Sequence, residues 1–168
     1  ETNKPCRMST ELLNLLHLSD PTLPIGGFSH SAGLETYVQQ NIVKDKKTAT
    51  TFITEMLSQN LYYTDAAFVS LGYDAAFINE LPVIITLDEE CSAVKLPAEI
   101  RQASKKLGAR LLKIFEPLLK NELLTAYSRQ VVAQKTNGNY CIVFSLVAHA
   151  MGISKQDSLY GFYYNAAA

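Results

Sequence analysis

The sequence is poor in charged residues. Asp, Glu, Lys and Arg make up 18% of its 168 residues, and the formal net charge at pH 7 is -1. Because nucleic-acid binding needs clustered Lys and Arg to neutralise phosphates, this balance disfavours a nucleic-acid-binding protein. The hydrophobic fraction, by contrast, is 48%. A small chain of this composition often hides part of its surface in a partner, so we predict oligomerisation or a complex.

Long apolar runs are also missing. No stretch reaches the ~18 apolar residues of a transmembrane helix, so we predict no membrane span. The first seven residues lack the apolar segment of a signal peptide. Cys6, Cys91 and Cys141 are odd in number and widely spaced, which suits a reducing compartment rather than a disulfide framework. We therefore expect a cytoplasmic protein.

Strand signals are nearly absent, and helical spacing dominates. The single β-branched run, residues 83–87, is too short to decide the fold class. Residues 140–151 are apolar on nearly all sides, which predicts a buried central helix. The sequence predicts one all-α domain over residues 1–168, a single bundle of roughly seven to nine helices.

Capping and breaking residues predict where several helices begin and end. Asp45 can cap a helix whose apolar stripe continues to Leu71, and Gly72 is expected to end or loosen that helix. A shorter helix is expected over residues 31–40. Pro97 suits a first helical turn, and Pro117 is expected to kink or restart the same helix.

Catalytic signatures are missing from the sequence. It contains no Gly-x-x-x-x-Gly-Lys loop, no Gly-x-Ser-x-Gly elbow and no His-Glu-x-x-His motif. His17, His30 and His149 are far apart in sequence and have no nearby cysteine, so no metal site is predicted. We expect His17 and His149 to be buried or capping residues. His30 lies at a loop-to-helix junction, where functional residues are common, although it could simply decorate the first turn of a capped helix.

Two further clusters are candidates for surfaces. A basic run of Arg101, Lys105, Lys106 and Arg110 is typical of a solvated helix face. Four aromatic residues crowd five positions near the end of the chain: Tyr160, Phe162, Tyr163 and Tyr164. Because they point in several directions around a helix, they cannot all face one small core. We therefore favour a subunit interface there over core packing.

The most specific pattern is residues 23–35, Leu-Pro-Ile-Gly-Gly-Phe-Ser-His-Ser-Ala-Gly-Leu-Glu, which follow a leucine-rich helix and Asp20. This run closely resembles the signature of the UreF family of urease accessory proteins. Residues 97–112 and 149–153 are similar to two further patterns of the family, in the same order. The resemblance spans most of the chain.

The resemblance implies an all-helical cytoplasmic protein without enzymatic activity and without a cofactor of its own, since nickel and GTP belong to partner proteins. UreF proteins dimerise and bind UreD, called UreH in some systems. That complex recruits the GTPase UreG, and the assembly delivers nickel to apo-urease. The resemblance also implies a regulatory effect on GTP hydrolysis, and it implies that the family's C-terminal helices are missing from this chain.

The resemblance also carries site residues onto this sequence. Contacts with UreG are expected at Gly26, Phe28, His30, Ser31, Gly33, Leu34 and Glu35. The dimer or partner interface is expected at Tyr160, Phe162, Tyr163 and Tyr164.

Two alternative functions stay open. One is an independent nickel-binding protein that uses His30, His149 or a cysteine. The other is a catalytic GTPase activator with an arginine finger, for which Arg101 and Arg110 are the candidates. For Arg101 we prefer a structural ion pair with a carboxylate, Glu99 or Asp65.

Overall fold

The computed structural model describes residues 10–26 and 33–167, and in these ranges the protein is helical without a strand. This confirms the predicted all-α class and helix number. The α-helices are α1 (Thr10–Leu18), α2 (Leu34–Gln39), α3 (Lys46–Glu55), α4 (Asp65–Phe77), α5 (Leu81–Val94), α6 (Ala98–Leu119), α7 (Glu122–Val132), α8 (Tyr140–Ala150) and α9 (Lys155–Ala167).

Helix α8 is the centre of the bundle, as its sequence predicts. Its residues from Cys141 to Ala148 are all buried. It packs chiefly against α4 and α6, and α9 packs on α8, α4 and α1. Because α8 is apolar all round, it is stable only where other helices cover every side.

The helix predicted after Asp45 is divided, which corrects the sequence-based boundaries. Asp45 caps α3 as expected, because its side chain accepts from the Thr48 backbone N–H while Thr48 bonds back to Asp45. A π-helical segment, Met56–Leu61, then follows α3. Gly72 does not end the helix but lies inside α4. A Cβ atom there would lie 2.5 Å from Oγ of Ser145, so the glycine permits close packing of α4 on α8.

Proline positions also differ from expectation in detail. Residues 83–87, the β-branched run, are part of helix α5. Pro82 does not interrupt this helix, because it lies in the first turn, where its missing N–H is not needed for an intrahelical hydrogen bond. Pro97 stands one residue before α6, and Pro117 remains inside its last turn. The missing N–H of Pro117 removes one hydrogen bond near the end of the helix without stopping it. Helix α2 is shorter than predicted, and residues 31 and 32 lie outside the described ranges.

A buried carboxylate fixes the start of α8. Oδ2 of Asp88 accepts from Thr136 Oγ1 at 2.6 Å and from the backbone N–H groups of Asn137 and Gly138 at 2.7 Å. Its Oδ1 accepts from the backbone and side-chain nitrogens of Asn139, at 2.9 and 2.7 Å. Since Asn139 makes no side-chain cap of its own for α8, α5 supplies the negative charge that a helix N-terminus favours.

The loop held by Asp88 also fits against a glycine of α6. A Cβ atom on Gly108 would lie 2.0 Å from the carbonyl oxygen of Gly138. The absence of a side chain at Gly108 therefore lets the backbone of the loop rest on α6. This contact brings the loop that precedes α8 close to α6.

Candidate functional site

The first part of residues 23–35, here called the glycine-rich segment, forms a tight turn after α1 together with the three residues before it. Oδ1 of Asp20 accepts from the backbone N–H and the hydroxyl of Thr22, at 2.8 and 2.7 Å. The hydrogen bonds from Thr22 hold the pKa of the exposed Asp20 carboxyl below its ordinary value. Backbone bonds run from Leu23 to Asp20 and from Ile25 to Leu23. Ile25 is only 4% exposed and belongs to the core, so the turn is fixed to the bundle at its end.

Helix α6 holds this turn in place. Nη1 of Arg110 donates to the carbonyl oxygen of Ile25 at 2.8 Å. Gly26, the next residue, has a φ of +79°, in a region that glycine adopts without strain. Arg110 therefore makes a structural contact with the glycine-rich segment, whereas the sequence suggests only that it belongs to a basic run.

Among the residues expected to contact UreG, those that the structure describes lie in two places: at the end of the turn after α1 and at the start of α2. Gly26 is half-buried at the end of the turn, whereas Phe28, His30 and Ser31 lie outside the described residues. Gly33 precedes α2 as its N-cap with a φ of +89°. In the first turn of α2, Leu34 is half-buried and Glu35 is exposed. The described residues of this set therefore present two features to a partner: the backbone turn that ends at Gly26 and the exposed carboxylate of Glu35.

The aromatic cluster of α9 divides between core and surface. Phe162 is 3% exposed, and its ring lies 5.1 Å from Phe144. The expectation that Phe162 forms part of an interface therefore does not agree with its position, because core packing already uses this ring. Tyr160 and Tyr164 are 62% and 61% exposed. Because they are four residues apart, they lie on one face of α9.

Tyr163 is half-buried and faces a different group of aromatic side chains. It lines a surface cleft with Thr54, Leu57, Ser58, Tyr62 and Tyr63. The rings of Tyr62 and Tyr63 meet edge to face at 4.9 Å, and both side chains are exposed. Burial raises the pKa of the Tyr163 phenol. The cleft adjoins the π-helical segment, a rare element that is frequent at functional sites.

The two candidate arginine fingers both contact backbone carbonyls of this chain. Arg101 donates to the carbonyl oxygens of Lys95 and Leu96, just as Arg110 donates to Ile25. The predicted ion pair of Arg101 with Glu99 or Asp65 is wrong: the Arg101 guanidinium bonds to these two carbonyl oxygens, and Asp65 pairs with Lys95 at 2.6 Å. Burial lowers the pKa of Lys95, but the charge and hydrogen bond of the Asp65 carboxylate, together with the nearby Cys141 and Cys91, leave that pKa raised.

Histidines and cysteines do not converge on a metal site within the described residues, where no group of three or more His, Cys, Asp or Glu side chains could hold an ion. His17 is exposed, not buried, and its ring lies 5.3 Å from Phe115. His149 is half-buried against Tyr73. Sγ of Cys91 lies 3.3 Å from Sγ of Cys141 in the core, and both thiols are free.

None of the helices among the described residues combines the length and the apolar character that crossing a membrane requires.

Comparison with known proteins gives a consistent result. The family model UreF matches residues 43–168. A urease accessory protein UreF of Haemophilus influenzae is 50% identical over 161 residues, which cover 96% of this chain and 68% of that protein. The chain belongs to the UreF family. A UreF protein of Actinobacillus pleuropneumoniae is 46% identical over 153 residues, covering 91% of this chain and 67% of its own length. One of Lachnoclostridium phytofermentans is 34% identical over 161 residues, covering 96% and 71%.

The glycine-rich segment precedes the residues that the UreF family model matches, which begin at 43. The alignment with the Haemophilus protein, however, spans 161 of 168 residues, so it includes residues 23–35. The sequence reveals this segment but not the residue that holds it, because Arg110 is 85 positions away from Ile25. No local pattern could have joined the two.

Proposed function

We propose that this UreF-family protein is a non-catalytic scaffold for nickel insertion into apo-urease. It binds UreD, called UreH in some systems, in the cytoplasm. The complex then recruits the GTPase UreG and regulates its GTP hydrolysis, while nickel and GTP stay with the partner proteins. The observation that carries the proposal is the anchored glycine-rich turn at residues 20–26. Loops that a rigid scaffold holds in place are common binding sites.

The arginine contacts favour a scaffold over a catalytic GTPase activator. An arginine finger must place a free guanidinium on the transferred phosphoryl group. Both Arg101 and Arg110 instead donate to carbonyl oxygens of their own chain. Recruitment of UreG through the glycine-rich segment, including Glu35, does not require either arginine to break these hydrogen bonds.

We also propose that the protein forms a homodimer through α9. Tyr160 and Tyr164 give this face two large exposed rings, and tyrosine contributes much contact area at low entropic cost. Phe162 supports the same helix from the inside by packing on Phe144. The interface is then restricted to the outer face of α9 and the cleft beside Tyr163.

Light scattering after size-exclusion chromatography tests the scaffold. We expect a dimer for the protein alone, a larger complex with UreD, and a still larger one when UreG and GTP are added. Glu35→Gln should weaken the last step, because the exposed carboxylate is lost. Glu55→Gln, which alters another exposed glutamate, is the matched control. If the wild-type protein forms no complex with UreD or with UreG, the proposal fails.

The same measurement tests the dimer. Substituting Tyr160 and Tyr164 together by Ala should give a monomer with unchanged far-UV circular dichroism. Phe77→Ala removes an exposed ring, 74% accessible, from α4 instead, and should leave the dimer intact. A dimer that survives the double substitution would place the interface elsewhere.

A further inference from the structure

The contact between α6 and the glycine-rich turn is more specific than a single hydrogen bond. A Cβ atom on Gly26 would lie 2.2 Å from Nη1 of Arg110. The guanidinium therefore occupies the space that any side chain at position 26 would need. Glycine is favoured here both by its positive φ and by the room it leaves for Arg110.

Arg110 also holds a part of the backbone that has a defined hydrogen-bond pattern. The turn is closed by the N–H of Leu23 on Asp20 and by the N–H of Ile25 on Leu23, at 3.0 and 2.6 Å. The carbonyl oxygen of Ile25 accepts a hydrogen bond from Nη1 of Arg110. The side chain of Ile25 is buried in the core, so the residue is held on two sides.

We propose that Arg110 is a positioning residue for partner binding: it fixes Ile25 and Gly26 on α6 and so holds in place the first of the residues that we expect to contact the GTPase. This inference rests on the proposed function, in which that segment binds the GTPase. Arg110 acts through Gly26 and does not need to reach the nucleotide. If Arg110 acted as an arginine finger, its hydrogen bond to the carbonyl oxygen of Ile25 would have to break.

Two substitutions separate the donor from the rest of the side chain. Arg110→Met keeps an apolar stem but donates no hydrogen bond. Arg110→Lys keeps one charged donor but lacks the planar guanidinium that fits against Gly26, so it should rescue the contact in part. Lys113→Met, an exposed basic residue on the same helix, is the matched control.

Hydrogen exchange of residues 20–26 in the purified protein is the first readout. Loss of a hydrogen bond from a charged donor typically changes a local equilibrium about tenfold or more. We therefore expect the amides of Leu23 and Ile25 to exchange about tenfold faster in Arg110→Met, with an intermediate rate in Arg110→Lys. Lys113→Met should match the wild type. Unchanged exchange in Arg110→Met overturns the proposal.

The second readout separates positioning from catalysis. Affinity for UreG, measured in the presence of UreD, should fall about tenfold in Arg110→Met, in line with the lost contact. The rate of GTP hydrolysis at saturating concentrations should stay unchanged. Normal affinity overturns the proposal, and normal affinity with a reduced saturated rate would reveal an arginine finger instead.

Failure of the proposed function would look different. In that case wild-type protein with UreD does not bind UreG at all. The exchange experiment then still decides whether Arg110 holds the turn. Far-UV circular dichroism and urea midpoints equal to those of Lys113→Met show that a loss of affinity does not come from global unfolding.

Discussion

Replacing Asp88 by Asn probes the interaction on which the start of α8 depends. The two side chains have nearly the same shape, so the change creates no cavity. It replaces one carboxylate oxygen by an amide group and removes the charge. Oδ2 accepts three hydrogen bonds and Oδ1 accepts two, all from residues of the loop at 136–139.

The magnitude follows from these contacts. Whichever way the new amide is oriented, its NH2 group replaces an oxygen that accepts two or three hydrogen bonds. A hydrogen bond to a charged group contributes about 1.5–3 kcal/mol. Asn also relieves part of the cost of burying a charge. We therefore expect the free energy of unfolding to fall by about 3–5 kcal/mol, similar to the effect of breaking a buried ion pair.

Urea unfolding followed by far-UV circular dichroism measures the effect. With a slope of about 2 kcal/mol per molar urea, the midpoint should fall by about 1.5–2.5 M. Glu89→Gln makes the same chemical change at the next, exposed position of α5. That control should stay within about 0.5 kcal/mol of the wild type.

A midpoint for Asp88→Asn that agrees with the Glu89→Gln control would contradict the predicted role of the buried carboxylate. Amides of residues 137–139 that kept their protection against hydrogen exchange in Asp88→Asn would contradict it too. Either result would mean that the loop is held by packing rather than by the buried carboxylate.

Three further predictions concern other parts of the bundle. Gly108→Ala should lower the free energy of unfolding by about 1–3 kcal/mol in urea, because the new methyl group meets a loop carbonyl; an unchanged midpoint would contradict the close contact. Burial lowers the pKa of His149 below 6.5, so the fold favours the neutral ring and should lose stability as the pH falls through 6.5. His149→Gln should reduce the pH dependence of the urea midpoint between pH 5 and 7.5, and a pH dependence equal to that of the wild type would contradict this. Burial raises the pKa of Cys141 well above its ordinary value, and Cys91 is equally buried. A thiol reagent should therefore label at most one of the three thiols until urea is added, and rapid labelling of two would contradict this burial.

The glycine-rich segment illustrates how far the sequence leads towards the candidate site. Its residues and order were sufficient to indicate the UreF family, which the comparisons show. Its support was not predictable, because Arg110 belongs to a basic run whose usual interpretation is a solvated face. Only the folded chain brings that guanidinium to Ile25.

The last helix shows a similar limit. Four aromatics in five positions indicate that some ring must leave the core, but they do not say which one. Packing against Phe144 buries Phe162, and the helical repeat then leaves Tyr160 and Tyr164 outside. The assignment depends on how α9 is rotated against α8, which no local pattern encodes.

The helical class, the buried character of α8 and the cap at Asp45 can be read from the amino-acid sequence, because these features depend on periodicity and on contacts between neighbours in the chain. Tertiary structure alone decided that Asp88 holds the loop before α8 and that Gly72 lies inside a helix. These features depend on groups that are distant in sequence and meet only after the chain has folded. Their energies come from burial and hydrogen bonding between helices, which single-helix propensities do not contain.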